Sequence, residues 1–537
     1  MKKIFITIIT FFAFAVIVNA KTYYIATNGN DTTGTGTITE PYATIMKAQE
    51  VVVGGDTVFV RGGTYAMTNS NVTNYVTTGP YAVVNYLSKS GTSLSKRIYY
   101  WAYPGEKPVF DFTNVKPAGY RVTAFLVLGN YIHLKGLEII GMQVTILTHT
   151  QSECFRNQGS YNIFEQLSMH DGMGIGFYLQ KGSNNLVLNC DAYRNWDNVS
   201  ETKKGSNVDG FGFHPAKGST GNIIRGCRAW FNSDDGYDCI SANETVVFDN
   251  CWAFYNGYNS SFTSLGDGNG FKIGGFGQAP VVSSLPNPIP PHLVKFCMSV
   301  RNKANGFYAN HHVETGSYFY NNTAYRNSTN YNMLSQKITK SSITGNDTTL
   351  DCTGIRHILH NNLSFKLSST KDTINIGTSN MTYNSFTPGI GVTVDAYDFV
   401  STDETQLTTA RKTDGSLPDI TFLHLKTGSD LIDKGMILSF AYLGTAPDFG
   451  AFEYNPSTPV EQITIENMLF YPNPAKNKLN FRDAEEKQVE IINVEGKTVW
   501  KGECTSEIDI SFLNKGLYLI KVKAEGKNST VSKLIKL

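Results

Sequence analysis

The sequence predicts an all-β solenoid, a stack of equivalent strand-and-turn rungs, on three observations. A phrase of Asp or Asn, then Gly, then an aromatic or Met occurs five times: Asp171-Gly172-Met173, Asp209-Gly210-Phe211, Asp235-Gly236-Tyr237, Asn269-Gly270-Phe271 and Asn305-Gly306-Phe307. A second phrase, opened by cysteine and closed by asparagine, precedes the last four: Cys190–Asn195, Cys227–Asn232, Cys251–Asn256 and Cys297–Asn302. Two phrases recurring in one order mean stacked repeats, in which equivalent residues lie one above another. Composition agrees: 49 glycines, 12% aromatics and plentiful Thr and Asn describe β-rich sequence. The net charge of +1 over 537 residues offers no basic face for nucleic acid.

In chain order, Met1–Ala20 reads as a secretory signal peptide. Lys2 and Lys3 precede an apolar run to Val18, and Val18-Asn19-Ala20 is a small-residue cleavage site. Residues 21 to about 65 form an entry module. Tyr42 to Val53 has helical spacing, with Ile45, Ala48, Val51 and Val52 on one face. A helix there would cap the open end of the solenoid, which otherwise exposes apolar core and strand edges. Rungs recur from about 95 to 370 at roughly two dozen residues, as from Cys227 to Cys251. Insertions at 196–208, 258–267 and 274–291 interrupt the rungs around Asp209 and Lys272 and would wall a cleft. Residues 371–454 read as further, less regular rungs. Residues 455–461 read as a linker, and 462–537 as a small separate β module of alternating strands. Eight cysteines suggest disulfides, yet Cys190, Cys227, Cys251 and Cys297 hold equivalent places that later rungs fill with Asn322 and Asn362. That pattern favours a buried ladder of thiols and amides.

The position after the aromatic reads Gly174, Gly212, Asp238, Lys272 and Tyr308. Asp238 and Lys272 would then be vertical neighbours, roughly 5 Å apart at their backbones. Asp209 would lie beneath Asp235, with Asp234 adjacent. Asp-Gly and Asn-Gly are also ordinary turn chemistry, but Asp234, Asp238 and Lys272 exceed what a turn requires. Four crowded carboxylates repel unless protons or a cation relieve them. An all-oxygen set, with His214 the nearest nitrogen, favours Ca²⁺. An ammonium beside a bound divalent cation has its pKa lowered, which makes a neutral amine accessible as a base. Cation and amine together suit β-elimination from a uronic acid polymer. Arg301, His311 and His312 fall on the next rung as subsite candidates.

Asn207–His214, Ser233–Asp238 and Gly268–Gly275 carry a resemblance to polysaccharide lyase family 9, the secreted lyases built as a right-handed parallel β-helix. The resemblance spans about Tyr23 to Glu453. It implies that Asp209, Asp234, Asp235 and Asp238 bind calcium and that Lys272 is the catalytic base. It implies an acidic pectic substrate, polygalacturonate or the rhamnogalacturonan backbone. The tail, with Tyr471–Ala475, Gly516–Val522 and Ser532–Leu537, resembles the C-terminal sorting domain of the type 9 secretion system, which implies a secreted or cell-surface protein. A monomer is expected. The rival readings are a polygalacturonase-like hydrolase, which would need neither metal nor Lys272, and a β-helix that binds polysaccharide without cleaving it.

Overall fold

The computed structural model describes residues 20–537 apart from 77–78, 149–150, 201–202, 276–287, 313–314, 341–343, 346, 352–356, 368, 374–378, 456–469, 472–474, 482–485, 494–496 and 525–529. The signal-peptide segment before Ala20, most of the 455–461 linker, the centre of the 274–291 insertion and Pro472–Pro474 of the tail motif lie outside the described residues.

Three long sheets, of twelve, ten and eleven described strands, wrap a single core. Each rung gives one short strand to each sheet in turn. Leu186–Leu188 enters the first, Asp191–Tyr193 the second and Phe211–Phe213 the third. Neighbouring rungs pair in parallel, as expected of a β-helix; the edge strand Asn74–Val76 is an antiparallel exception. A short helix, Ile45–Val51, begins at Thr44, whose hydroxyl accepts from Lys47 N. Ile45 and Ala48 are buried as the spacing predicts, but Val51 is solvent-exposed and Gln49 takes the inward place.

Both repeated phrases become columns. The aromatic of the first phrase points inward on the third sheet. Phe211, Tyr237, Phe271, Phe307 and Tyr331 stack face to face with centroids 4.6–5.1 Å apart, which adds to the burial of each ring. The second phrase supplies two ladders. At its start, Cys190 N donates to Cys227 Sγ at 3.3 Å and Cys251 N to Cys297 Sγ at 3.4 Å. Asn322 and Asn362 continue the column, with Cys297 N donating to Asn322 Oδ1 at 2.9 Å. The seven cysteines among the described residues are free thiols. At the end of the phrase, the side-chain amides of Asn195, Asn232, Asn256, Asn302 and Asn327 donate each to the next at 2.9–3.1 Å. These buried amides satisfy turns that a solenoid must otherwise leave without partners.

Residues from 383 to 454 are not further rungs. They run back along the outside of the second sheet, where Phe399, Leu407, Phe422 and Phe449 join a second apolar cluster with Trp230, Phe254, Tyr325 and Phe365. Outward apolar side chains on that sheet need a cover, and this strap supplies it. Ion pairs fasten it: Arg411 to Asp191 at 2.7 Å, and Glu404 to Arg301 at 2.6 Å and to Arg326 at 3.1 Å. Arg301, a subsite candidate by sequence, is therefore a rung residue engaged by the strap. Residues 456–537 form a second unit. In it, a three-stranded and a four-stranded antiparallel sheet bury Leu479, Ile508, Ile491, Ile520 and Leu534 as a small β-sandwich.

Candidate metal and catalytic site

The third sheet carries the site. Its strands alternate, so the residue after each inward aromatic faces outward. Gly212 pairs with Asp238, Asp238 with Lys272, and Lys272 with Tyr308, as the phrase predicts. One expected member is wrong: Gly174 is not in this column. Tyr178 is, paired with Gly212, because the strand Gly174–Leu179 is longer than its successors and aligns Gly176-Phe177-Tyr178 with Gly210-Phe211-Gly212. Asp171 instead occupies a left-handed turn and pairs with Arg194.

The Asx position of the phrase forms its own ladder. Asp235 N donates to Asp209 Oδ1 at 3.2 Å. Asn269 donates to Asp235 Oδ1 from both its backbone N at 2.7 Å and its Nδ2 at 2.8 Å. Asn305 Nδ2 donates to Asn269 Oδ1 at 2.7 Å. Asp234 is anchored beside this ladder by Asp267 N at 3.2 Å, and Asp238 by Ile240 N at 2.7 Å. The insertions pack here: Ser233 Oγ donates to Gly205 O at 2.8 Å, and a side chain at Gly266 would lie 2.4 Å from Ser233 O.

Asp209, Asp234 and Asp235 each bring a carboxylate oxygen within 4.8 Å of the others, and all three are buried. Asp238 stands beside this trio, joined to it through Lys272. The Lys272 ammonium lies 3.1 Å from Asp235 Oδ2 and 3.3 Å from Asp238 Oδ2. Asp235 Oδ2 accepts no hydrogen bond among the described residues; its contact with Lys272 is a charge contact. His214 Nε2 is 4.0 Å from Asp238 Oδ2 and stays outside the trio.

Burial drives the electrostatics. It raises Asp209, aided by Asp238 and Asp235; it raises Asp234, aided by Asp235 and Asp209; and it raises Asp235 despite Lys272. Burial lowers His214 and keeps it neutral. For Lys272 burial pulls down, but Asp238, Asp235, Asp234 and Asp209 outweigh it and hold the ammonium well above its ordinary value. The neutral amine expected from the sequence is thus not what these carboxylates alone produce. Acceptor-only oxygens, three close together, buried, with one atom lacking a hydrogen bond, fit a hard divalent cation. Sequence reasoning missed Asn269 and Asn305 as ladder members. Their shared place with Asp209 and Asp235 in the first phrase was the signal.

A parallel β-helix with such a pocket on one sheet is the architecture of a polysaccharide lyase. The chain belongs to the Pel9A-like, right-handed β-helix family, whose model matches residues 23–362. Residues 469–537 match a secretion system C-terminal sorting domain, which places the protein at the cell surface or outside the cell. Pectate lyase L of Dickeya chrysanthemi is 34% identical over 440 residues, covering 81% of this chain and 90% of that protein. A solved rhamnogalacturonan lyase is 44% identical with a TM-score of 0.70, covering 76% of this chain and 97% of its own. The pectate lyase Pel9A structure is 32% identical with a TM-score of 0.64, covering 82% and 98%. These relatives are lyases, which sets aside the hydrolase and the non-catalytic readings.

Proposed function

We propose that the protein is a calcium-dependent lyase of an acidic pectic polymer, with Lys272 as the base. The observation that carries this is the contact of Lys272 Nζ with Asp235 and Asp238 beside an all-oxygen pocket, in a chain of this family. Asp209, Asp234, Asp235 and Asp238 would hold the cation. Bound Ca²⁺ would neutralise a uronate carboxylate and acidify the hydrogen on the carbon beside it. With the four carboxylates engaged, their pull on Lys272 falls, so its amine can lose a proton near neutral pH. Lys272 then removes the ring proton, the C–H electrons form the carbon–carbon double bond, and the glycosidic oxygen leaves from the neighbouring carbon. Residues 21–454 would be the catalytic part. Residues 1–20 would be the signal peptide, 455–461 the linker and 462–537 the module read by the type 9 secretion machinery.

The test follows ultraviolet absorbance of an unsaturated uronide with polygalacturonate and with rhamnogalacturonan, with calcium or a chelator. Higher identity to the rhamnogalacturonan lyase makes that polymer the first to try. The expected result is calcium-dependent absorbance that Lys272→Ala lowers by about 10²–10⁴-fold. New reducing ends without absorbance would mean hydrolysis and overturn the roles of Lys272 and the four aspartates.

A further inference from the structure

Tyr308 is the next side chain along the outward column from Lys272. Its Cα partner is Lys272, and Phe307 beside it is fully buried, so Tyr308 faces out. Adjacent rungs lie about 4.8 Å apart, so a glycan running along the stack past Lys272 meets Tyr308 with its neighbouring sugar.

The phenol is held in place. Tyr308 Oη lies 2.9 Å from His311 Nε2, and the two rings meet edge to face at 5.8 Å. His311 and Asn310 both occupy left-handed backbone, at φ 56° and 48°. Two consecutive non-glycine residues in that region store strain, which persists only where surroundings enforce it. The enforcement comes from the segment after Lys272. Asn310 Nδ2 donates to Gly274 O at 3.0 Å, and a side chain at Gly274 would come within 2.6 Å of His312 Nδ1. The turn bearing His311 is thus clamped to the strand bearing Lys272.

The hydrogen-bond inventory sets the direction of the phenol. His311 Nδ1 is buried and has no partner among the described residues. With its proton on Nε2, His311 donates to the Tyr308 oxygen. The Tyr308 O–H is then left to point away from His311. A phenylalanine would keep the ring in place but leave His311 Nε2 without this partner.

We infer that Tyr308, oriented by His311, contacts the sugar next to the one at Lys272 and donates a hydrogen bond to one of its oxygens. The inference rests on the lyase reading of the Lys272 site. His311 acts through Tyr308 and is a positioning residue.

The test is made on the full chain. Tyr308→Phe should lower kcat/KM on oligogalacturonates or rhamnogalacturonan oligosaccharides about 3–10-fold, through KM with kcat little changed. Tm should fall only slightly, because the single bond to His311 is lost. His311→Ala should act in the same direction, and the double variant should be no worse than Tyr308→Phe alone, because the two act as one unit. Calorimetric titration of the same oligosaccharides into Lys272→Ala, with and without Tyr308→Phe, reads the contact apart from turnover. Turnover with unchanged KM and unchanged binding in Tyr308→Phe overturns the contact and leaves the lyase reading standing. No turnover in the unaltered protein, but weaker binding with Tyr308→Phe, supports the contact and overturns the lyase reading. No turnover and no binding to the Lys272→Ala protein overturns both. Effects of the two substitutions that simply add show that His311 does not act through Tyr308.

Discussion

One column on the third sheet is built in two ways. In its upper half Asn269 and Asn305 hand amide hydrogen bonds along the stack, as do Asn232, Asn256 and Asn302 in the neighbouring turn column. In its lower half the same positions hold Asp209 and Asp235. The backbone geometry is shared, but the chemistry is opposed. An amide donates to one neighbour and accepts from the other, so a run of them satisfies itself. A carboxylate only accepts, so Asp235 has no side-chain proton to hand on to Asp209, and the two stacked carboxylates beside Asp234 concentrate negative charge. The change of one atom type at two rungs, with Asp234 and Asp238 added, turns a self-satisfied run of amides into a cluster of acceptors that would suit a cation.

The comparison can be broken most severely at Asp235. Asp235→Asn extends the amide ladder downward and removes a central charge. Calcium affinity, read by calorimetry, should fall by at least about 10²-fold, since a hard cation needs charged oxygen. In chelator the same variant should be no less stable than the parent and should gain up to about 1–3 kcal/mol, because a buried like-charge contact is relieved. A clear loss of stability in chelator would show that Asp235 belongs to the scaffold rather than to a charged site.

Asn256→Ala tests the amide ladder beside that column. Asn256 Oδ1 accepts from both the backbone and the amide of Asn232, so its removal leaves two buried donors unpaired. Denaturant unfolding should show a cost of about 2–4 kcal/mol. Calcium affinity of the folded protein should fall far less than in Asp235→Asn, because Asn256 Nδ2 lies beside Gly236 but Asn256 supplies none of the clustered carboxylate oxygens. Equal damage to calcium binding would merge the two regions.

A third test concerns three buried histidines of the later rungs, away from both ladders. Burial lowers His292 and His357 to about 3 and His312 to about 4, from 6.5. The unfolded chain then binds more protons than the folded one between about pH 3 and 6.5. Their contribution to stability is complete above the unfolded value and is lost as pH falls toward the folded ones. In saturating calcium, stability should decline below pH 6.5 by up to about 1.4 kcal/mol per pH unit for each histidine. A flat profile from pH 6.5 to 4.5 would contradict neutral burial.

Much of this was legible in the repeated phrases. Asp238 beside Lys272, Asp209 beneath Asp235, and the passage from cysteine to asparagine at Asn322 all followed from position within a phrase. The reading failed at Gly174, where a match in letters was out of phase with the strand, and Ile175-Gly176-Phe177 was the true counterpart. It also failed for residues 383–454. Their partners lie far away in sequence, as when Gln166 Nε2 donates to Asp414 O across 248 positions.

The sequence by itself determined the stacking and which residues share a column, because parallel rungs repeat at a fixed spacing and the period is written locally. The tertiary structure alone decided three things. It decided that the strap folds back over Trp230 and Phe254, that Arg301 serves Glu404, and that four buried carboxylates keep Lys272 charged. Each depends on distance and burial between segments far apart in the chain, and no local period records those.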